Sequence, residues 1–290
     1  MLDTVTLILV YTFVFGSLYL GMSLGFTITT GVLRVFNLAY GASFLIAAYS
    51  VWFFWKDVGV PFAASLFFCV IPLAIFATLT YYGVIKPFFK TEDYMLAALI
   101  SVFIIVEELI NYFYPEIVGV YLPTTVIGGT VKIAAASVPG QMIVTAIASL
   151  LTFLVYAVLL IKTKVGLIMR AVSQDVLASR ITGVNFDRTF VISMILASIP
   201  PAIVIILMAP VWALNPFIGW ELFTYAIIVT VLGGLGNLRG AVMAAYVIGF
   251  VNAAVGFAIN PRMMLLASLV ITIIVLLFRP RGLARAESVW

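Results

Sequence analysis

The chain has 290 residues, of which 65% are hydrophobic and 9% are charged, and its formal net charge is +4. This composition excludes an ordinary water-soluble globular protein, in which about 25% of the residues are charged, and it indicates a protein embedded in lipid. The apolar runs are continuous and do not alternate, which argues against a membrane β-barrel. Histidine is absent and Cys69 is the single cysteine, so no intrachain disulfide can form and the commonest metal ligand is missing.

Nine apolar windows follow one another along the chain, and most approach the roughly 20 residues that a helix needs to cross a bilayer. The seventh and eighth are short and rich in glycine, so either one is open to a broken or re-entrant helix. We therefore predict an all-α polytopic membrane protein with a single transmembrane domain over 1–290, built as a bundle of about eight or nine transmembrane helices with broken or re-entrant glycine-rich segments. The windows lie at roughly 5–29, 35–55, 60–85, 94–114, 140–161, 189–212, 220–238, 240–259 and 262–278.

The basic residues are distributed unequally between the two sets of connections. The loop at about 162–188 carries five Lys and Arg residues, and short basic loops stay in the cytoplasm. If all nine windows cross, twelve of the 15 basic residues lie on that side, and Lys56, Lys132 and Arg262 lie on the other. The expected location is the inner membrane, with the amino terminus outside and the carboxyl terminus in the cytoplasm. The external segment 115–139 is expected to form a short hairpin or a surface helix.

The cytoplasmic segment 170–188 reads RAVSQDVLASRITGVNFDR. Ser173 and Asp175 suit a helix start, and Gly183 suits a helix stop. Asn185 and Asp187 suit a turn into the next span. Two interpretations remain open from these residues alone: a basic loop that only orients the protein, or a helix that docks on another protein.

The order of residues in this loop resembles the coupling loop of LivH-type permeases, the membrane subunits of branched-chain amino acid ABC importers. In that family the loop fits into a cleft of the ATPase subunit and transmits its closure to the spans. The resemblance implies as partners a second permease subunit of similar fold, two ABC ATPase subunits that carry the ATP and Mg²⁺, and an extracytoplasmic substrate-binding protein. It implies ATPase coupling by Arg170, Asp175, Ala178, Gly183, Asn185 and Asp187.

A second segment runs from Asn215-Pro-Phe-Ile-Gly-Trp220 to the glycine-rich block 231–241, VLGGLGNLRGA. Four glycines within eight residues weaken a helix and allow close backbone packing. Alternatively, a broken helix offers backbone amides and carbonyls to a zwitterionic substrate. The block is similar to that of the same family, including the Asn-Pro-x-Ile-Gly opening and the Leu-Gly-Gly-x-Gly core.

A third segment, 31–41, contains Asn37 in an apolar run, where the amide needs partners. Two roles stay open for Asn37: a hydrogen bond between helices, or a contact with a ligand. The chain departs from the family pattern at Tyr40, Ala42 and Tyr225, and these departures remove ionisable groups, so the exact substrate stays open. The predicted substrate path or gate consists of Asn37, Tyr40, Gly41, Asn215, Tyr225, Gly233, Gly234 and Gly236.

The function expected from these features is a permease subunit of an ATP-driven importer of branched-chain or other small amino acids, working by alternating access with an external ATPase. The chain contains no Gly-Lys dipeptide and so no P-loop, and we expect it to be no enzyme, to carry no cofactor, to contact lipid and to bind no nucleic acid. The alternative is an ion-coupled secondary transporter or channel for small polar solutes. Glu107 and Glu108 in the fourth window are expected to serve packing or the interface, or to attract a substrate ammonium or a binding protein.

Overall fold

The computed structural model describes residues 2–115, 121–122, 126–133, 136–175, 179, 181 and 183–284. Helices dominate this part of the chain, and every apolar window contains a helical segment, the third being divided into two short helices. Within the described residues, seven segments are long and apolar enough to cross a membrane, and Ile218–Gly233 is a shorter apolar helix. The prediction of an all-α polytopic membrane protein is therefore confirmed. The helices are α1 (Leu2–Ile28), α2 (Tyr40–Trp52), α3 (Phe62–Phe68), α4 (Val70–Thr80), α5 (Lys86–Phe88), α6 (Glu92–Phe113), α7 (Gly140–Lys162), α8 (Lys164–Gln174), α9 (Phe186–Met208), α10 (Ile218–Gly233), α11 (Leu238–Ala258) and α12 (Met264–Phe278).

One end of the bundle, which we call the basic end, gathers the connections predicted to share a side. Lys86, after the third window, forms an ion pair with Asp187 at the start of α9, with 2.7 Å between Nζ and Oδ2. The backbone N–H of Leu283 donates to the carbonyl of Leu232 at 2.8 Å, which ties the segment after α12 to the end of α10. The structure thus groups these loops as the charge pattern predicts, while the side of the membrane that they face stays a prediction.

The opposite end, which we call the hairpin end, carries a two-stranded antiparallel sheet. Strand β1 (Thr130–Ile133) pairs with β2 (Ala136–Pro139), and Val131 lies opposite Val138. The hairpin expected within 115–139 is therefore present in the described residues. The hydroxyl of Tyr11 in α1 donates to the carbonyl of Ser137 at 2.9 Å, which holds the sheet on the bundle.

Tyr114 closes a second contact at the hairpin end. Its hydroxyl donates to the Asp57 carboxylate at 2.6 Å, joining the end of α6 to the end of the second helical segment. Partial burial and the nearby Asp57 carboxylate raise the pKa of Tyr114 to about 12, so the phenol remains a protonated donor at neutral pH.

Helix α1 lies at the centre of the bundle and packs against α7, α9, α10 and α11. Most of its side chains from Val14 to Ile28 are buried. Gly25 lies against the carbonyl of Ala197 in α9, where the Cβ of any other residue would clash with that oxygen. Helix α12, by contrast, buries Ser268 and Thr272 and exposes only apolar side chains, among them Leu277 and Phe278, as expected of a helix that faces lipid.

Two prolines inside α9 determine how this helix meets its neighbours. Pro200 and Pro201 lack an N–H, so the carbonyls of Leu196 and Ala197, four residues earlier, lose their helical donors. The hydroxyl of Tyr156 in α7 donates to the Leu196 carbonyl at 2.6 Å. A side chain of one helix thus replaces the backbone donor that the other helix lacks.

Candidate functional site

The predicted coupling loop begins with a helix that starts earlier than expected. The hydroxyl of Thr163 accepts a hydrogen bond from the N–H of Gly166 at 3.2 Å and caps α8. Ser173 was expected at a helix start, and this prediction is wrong. Its hydroxyl donates to the Arg170 carbonyl at 2.7 Å within the last turn of α8, because serine can satisfy its hydroxyl by bonding back along a helix.

Asp175 and Gly183 both have non-helical backbone angles. Asp175 has extended backbone angles and ends α8, and its carbonyl accepts from the N–H of Ser179 at 3.1 Å. Gly183 has a φ of 84°, which favours glycine at a helix stop. Asn185 then caps α9 by accepting from the N–H of Arg188 at 3.1 Å. Asp175, Gly183 and Asn185 are exposed.

Two further members of the predicted coupling set make contacts within the chain. Arg170 donates through Nη2 to the carbonyl of Ile161 at 3.2 Å, near the end of α7. Asp187 accepts from the Tyr81 hydroxyl at 2.5 Å and from Lys86 at 2.7 Å. These two residues therefore hold the loop to the bundle, and their contact with an ATPase stays a prediction. Ala178 lies outside the described residues.

The glycine-rich block forms the turn between α10 and α11 at the basic end. Gly234 and Gly236 have φ values of 100° and 77°, and Asn237 caps α11 by accepting from the N–H of Gly240 at 3.0 Å. A Cβ at Gly236 would clash with the Cα of Gly31. The helical interruption predicted from the glycines is present, and in this structure it serves close backbone packing.

The path residues of the third segment are also packed. Asn37 is 5% exposed and uses its side-chain oxygen to accept from the N–H of Ala39 at 3.1 Å, at the start of α2. Tyr40 donates its hydroxyl to the carbonyl of Met22 at 2.8 Å. Gly41 lies against Phe103, which a Cβ would approach to 2.5 Å. The contacts of Asn37 thus favour a structural role over a ligand contact.

A cavity of about 490 Å³ opens at the hairpin end, between α1, α10 and the connection that precedes α10. Its wall is mostly aromatic and aliphatic, and Glu221 is the one charged side chain among the described residues that line it. Two of the eight predicted path residues, Asn215 and Tyr225, lie here. The lining residues that matter below are Tyr19, Trp212, Asn215, Glu221, Leu222 and Tyr225.

A buried polar network forms the floor of this cavity. The rings of Tyr19 and Tyr225 are stacked, with centroids 4.6 Å apart. Asn252 of α11 donates to the Tyr19 hydroxyl at 2.6 Å and accepts from Ser268 of α12 at 2.7 Å. Three helices, α1, α11 and α12, are thereby joined through polar atoms, which are costly to leave unpaired in a lipid environment, and the stacked rings add α10.

The adjacent carboxylates of α6 have different surroundings. Glu107 is 5% exposed and accepts a hydrogen bond from the indole N–H of Trp220 in α10. Glu108 is exposed, and its carboxylate lies 3.5 Å from the Asn111 amide nitrogen. For Glu107 the structure therefore supports the packing role.

Among the lining residues with polar or aromatic side chains named above, Tyr19, Trp212 and Glu221 were not identified from the sequence. The signal for Glu221 was available, because an ionisable residue inside an apolar window is by default a candidate for function. Tyr19 and Trp212 carried no comparable signal, since aromatic residues are common throughout the chain.

Comparisons with a family model and with known proteins match most of the chain. Residues 8–278 match the family model described as branched-chain amino acid transport system, permease component. The high-affinity branched-chain amino acid transport system permease protein LivH of Escherichia coli K12 is 24% identical over 288 residues, covering 92% of this chain and 91% of that protein. The probable LivH permease of Methanocaldococcus jannaschii is 23% identical over 294 residues, covering 94% and 90%. The solved structure of PsaBC from Streptococcus pneumoniae in complex with Fab is similar over 91% of this chain and 90% of that one, with a TM-score of 0.47 and 13% identity.

Proposed function

Because the chain belongs to the family of branched-chain amino acid transport system permease components, we propose that it is the membrane subunit of an ATP-driven importer of branched-chain or other small amino acids. The observation that carries this proposal is the family match, which extends over residues 8–278 and so reaches into each of the seven described segments that are long and apolar enough to cross a membrane. The substrate named for the relatives suits an apolar, aromatic cavity of ligand size, since such pockets commonly measure about 300–1,000 Å³.

The two ends of the bundle suit the two partners that the proposal requires. The basic end carries exposed Asp175, Gly183 and Asn185; Asn185 caps α9, and the Asp187–Lys86 pair ties the start of α9 to the segment around Lys86. In the proposed mechanism, an ATPase subunit binds this connection, and its closure moves α9 and the segment around Lys86 together. The hairpin end would then face the extracytoplasmic binding protein, as the distribution of basic residues predicts.

Reconstitution tests the proposal directly. The chain is assembled in proteoliposomes with a second permease subunit, candidate ATPases and a candidate binding protein, and both leucine uptake and ATP hydrolysis are measured. We expect uptake to require ATP and the binding protein to stimulate hydrolysis. Uptake that continues without the ATPase but stops when the proton or sodium gradient is dissipated would instead establish the ion-coupled alternative.

Asp175→Lys tests the docking of the ATPase. We expect this charge reversal to weaken copurification of the ATPase, because Asp175 is exposed at the turn assigned to docking. Asp93→Lys is the matched control, since Asp93 is an exposed acid in the first turn of α6 at the same end. Equal copurification in both variants would remove the coupling role from this turn.

A further inference from the structure

We infer that the cavity at the hairpin end binds the ammonium group of a small amino acid, with Glu221 as the counter-ion. The inference rests on the proposed function for the class of substrate, and it assigns a role to a residue that the family match alone does not single out. Glu221 is the one charged side chain among the described lining residues. Glu221 is exposed where it lines the cavity, and the walls of low polarity in a cleft focus the field of a charged group that lines it.

The aromatic floor strengthens the preference for a cation. Tyr19 and Tyr225 lie in the same cavity as Glu221, and their stacked rings are held by the bond from Asn252 to the Tyr19 hydroxyl. An ammonium group is attracted to the face of an aromatic ring within about 6 Å of its centroid. Because the network fixes these rings before substrate arrives, little conformational entropy is lost on binding.

The direction of Glu221 is set by its neighbour. Successive residues of an α-helix point about 100° apart. The indole N–H of Trp220 is hydrogen-bonded to Glu107 on α6, which fixes the rotation of the first turn of α10. The Glu221 side chain therefore leaves the helix about 100° from the direction of Trp220, and it lines the cavity. The buried Glu107 thus acts as a positioning residue for this turn.

The remaining lining residues can bind the carboxylate and the side chain of an amino acid. Asn215 accepts from the N–H of Phe217 with its side-chain oxygen, so its amide nitrogen is the group that can donate to a substrate carboxylate. The indole N–H of Trp212 is a second donor at the same rim. Leu222 and Met264 offer apolar surface to an aliphatic side chain. This distribution favours a zwitterion over a compound that lacks the ammonium group.

The first test is Glu221→Gln in the assembled importer, with leucine uptake measured over a range of concentrations of the loaded binding protein. We expect the apparent KM to rise at least about tenfold, because a charge-assisted hydrogen bond is lost. Glu92→Gln is the matched control, since it removes an exposed carboxylate from the first turn of α6 at the basic end, away from the cavity, and we expect its KM to be unchanged. An unaltered KM in Glu221→Gln, or an equal rise in both variants, overturns the inference.

The second test does not depend on transport. Cys69 is the single cysteine of the chain, so Ala213→Cys in a Cys69→Ser background places one thiol in the cavity wall. We expect L-leucine to slow its modification by a charged methanethiosulfonate reagent, and 4-methyl-2-oxopentanoate, which lacks the amino group, to do so far less. Val58→Cys is the control at the same end, where the side chain is exposed, and leucine should leave its rate unchanged.

The two tests separate this inference from the proposed function. If wild-type uptake requires ATP while Glu221→Gln is unaltered and Ala213→Cys is unprotected, the inference fails and the importer stands. If wild-type uptake does not require ATP but leucine protects Ala213→Cys, the proposed function fails and the binding site stands. Equal protection by the oxo acid overturns the assignment of Glu221 to the ammonium group.

Discussion

Replacement of Tyr156 by phenylalanine removes a single oxygen atom from the contact between α7 and α9. That oxygen donates to the Leu196 carbonyl at 2.6 Å, and Tyr156 is 5% exposed. Hydrogen bonds between membrane helices average about 0.6 kcal/mol and reach about 1.7 kcal/mol. Because Pro200 leaves the Leu196 carbonyl without a helical donor, we expect Tyr156→Phe to lower the free energy of unfolding by about 1–1.7 kcal/mol, at the upper end of this range.

A double-mutant cycle tests whether the missing helical donor is the reason for the expected loss of unfolding free energy. Pro200→Ala restores a backbone N–H four residues after Leu196, so in this background the carbonyl has a helical partner. Tyr156→Phe should then cost at least about 0.5 kcal/mol less than in the wild type. Pro201→Ala is the matched control. It restores a donor for Ala197 only, so the cost of Tyr156→Phe should be unchanged.

Unfolding of the purified chain in mixed micelles by increasing SDS, followed by the fluorescence of its five tryptophans, measures each free energy. The three single variants and the two double variants are compared with the wild type at the same protein and lipid concentrations. A cost of Tyr156→Phe that is the same in the wild-type, Pro200→Ala and Pro201→Ala backgrounds would refute the claim that the phenol replaces a missing helical donor.

Two other changes test the packing at the basic end. Gly236→Ala should lower thermal stability clearly more than Gly59→Ala, because both glycines have positive φ values, 77° and 79°, but a Cβ clashes only at Gly236, against Gly31; equal losses in thermal unfolding would contradict this. Asp187→Asn should cost less than about 1 kcal/mol, since its pair with Lys86 is partly exposed. The difference from wild type in SDS unfolding should shrink in high salt, and a larger, salt-independent loss would contradict a surface ion pair.

The sequence alone was enough to show that the protein is embedded in lipid and to locate its helices. Apolar length is a local property, so each window could be recognised without its neighbours. If successive apolar windows cross the membrane in alternate directions, the basic loops lie at one end of the bundle. The Lys86–Asp187 pair agrees with this grouping. Helix ends were less predictable: Asn185 was placed correctly at a turn, but Ser173 was not, because serine serves equally as a cap and as a residue bonded back within a helix.

The cavity was decided by tertiary structure. Tyr19 and Tyr225 belong to windows far apart in the chain, and only the packing of α1 against α10 stacks their rings. The role of Glu221 likewise depends on Trp220, whose bond to Glu107 sets the rotation of the helix. Sequence patterns therefore determined which segments enter the membrane, because that depends on the transfer of each segment from water to lipid. Which side chains meet inside depends on helix rotation and register, and these are set by long-range contacts that no single window contains.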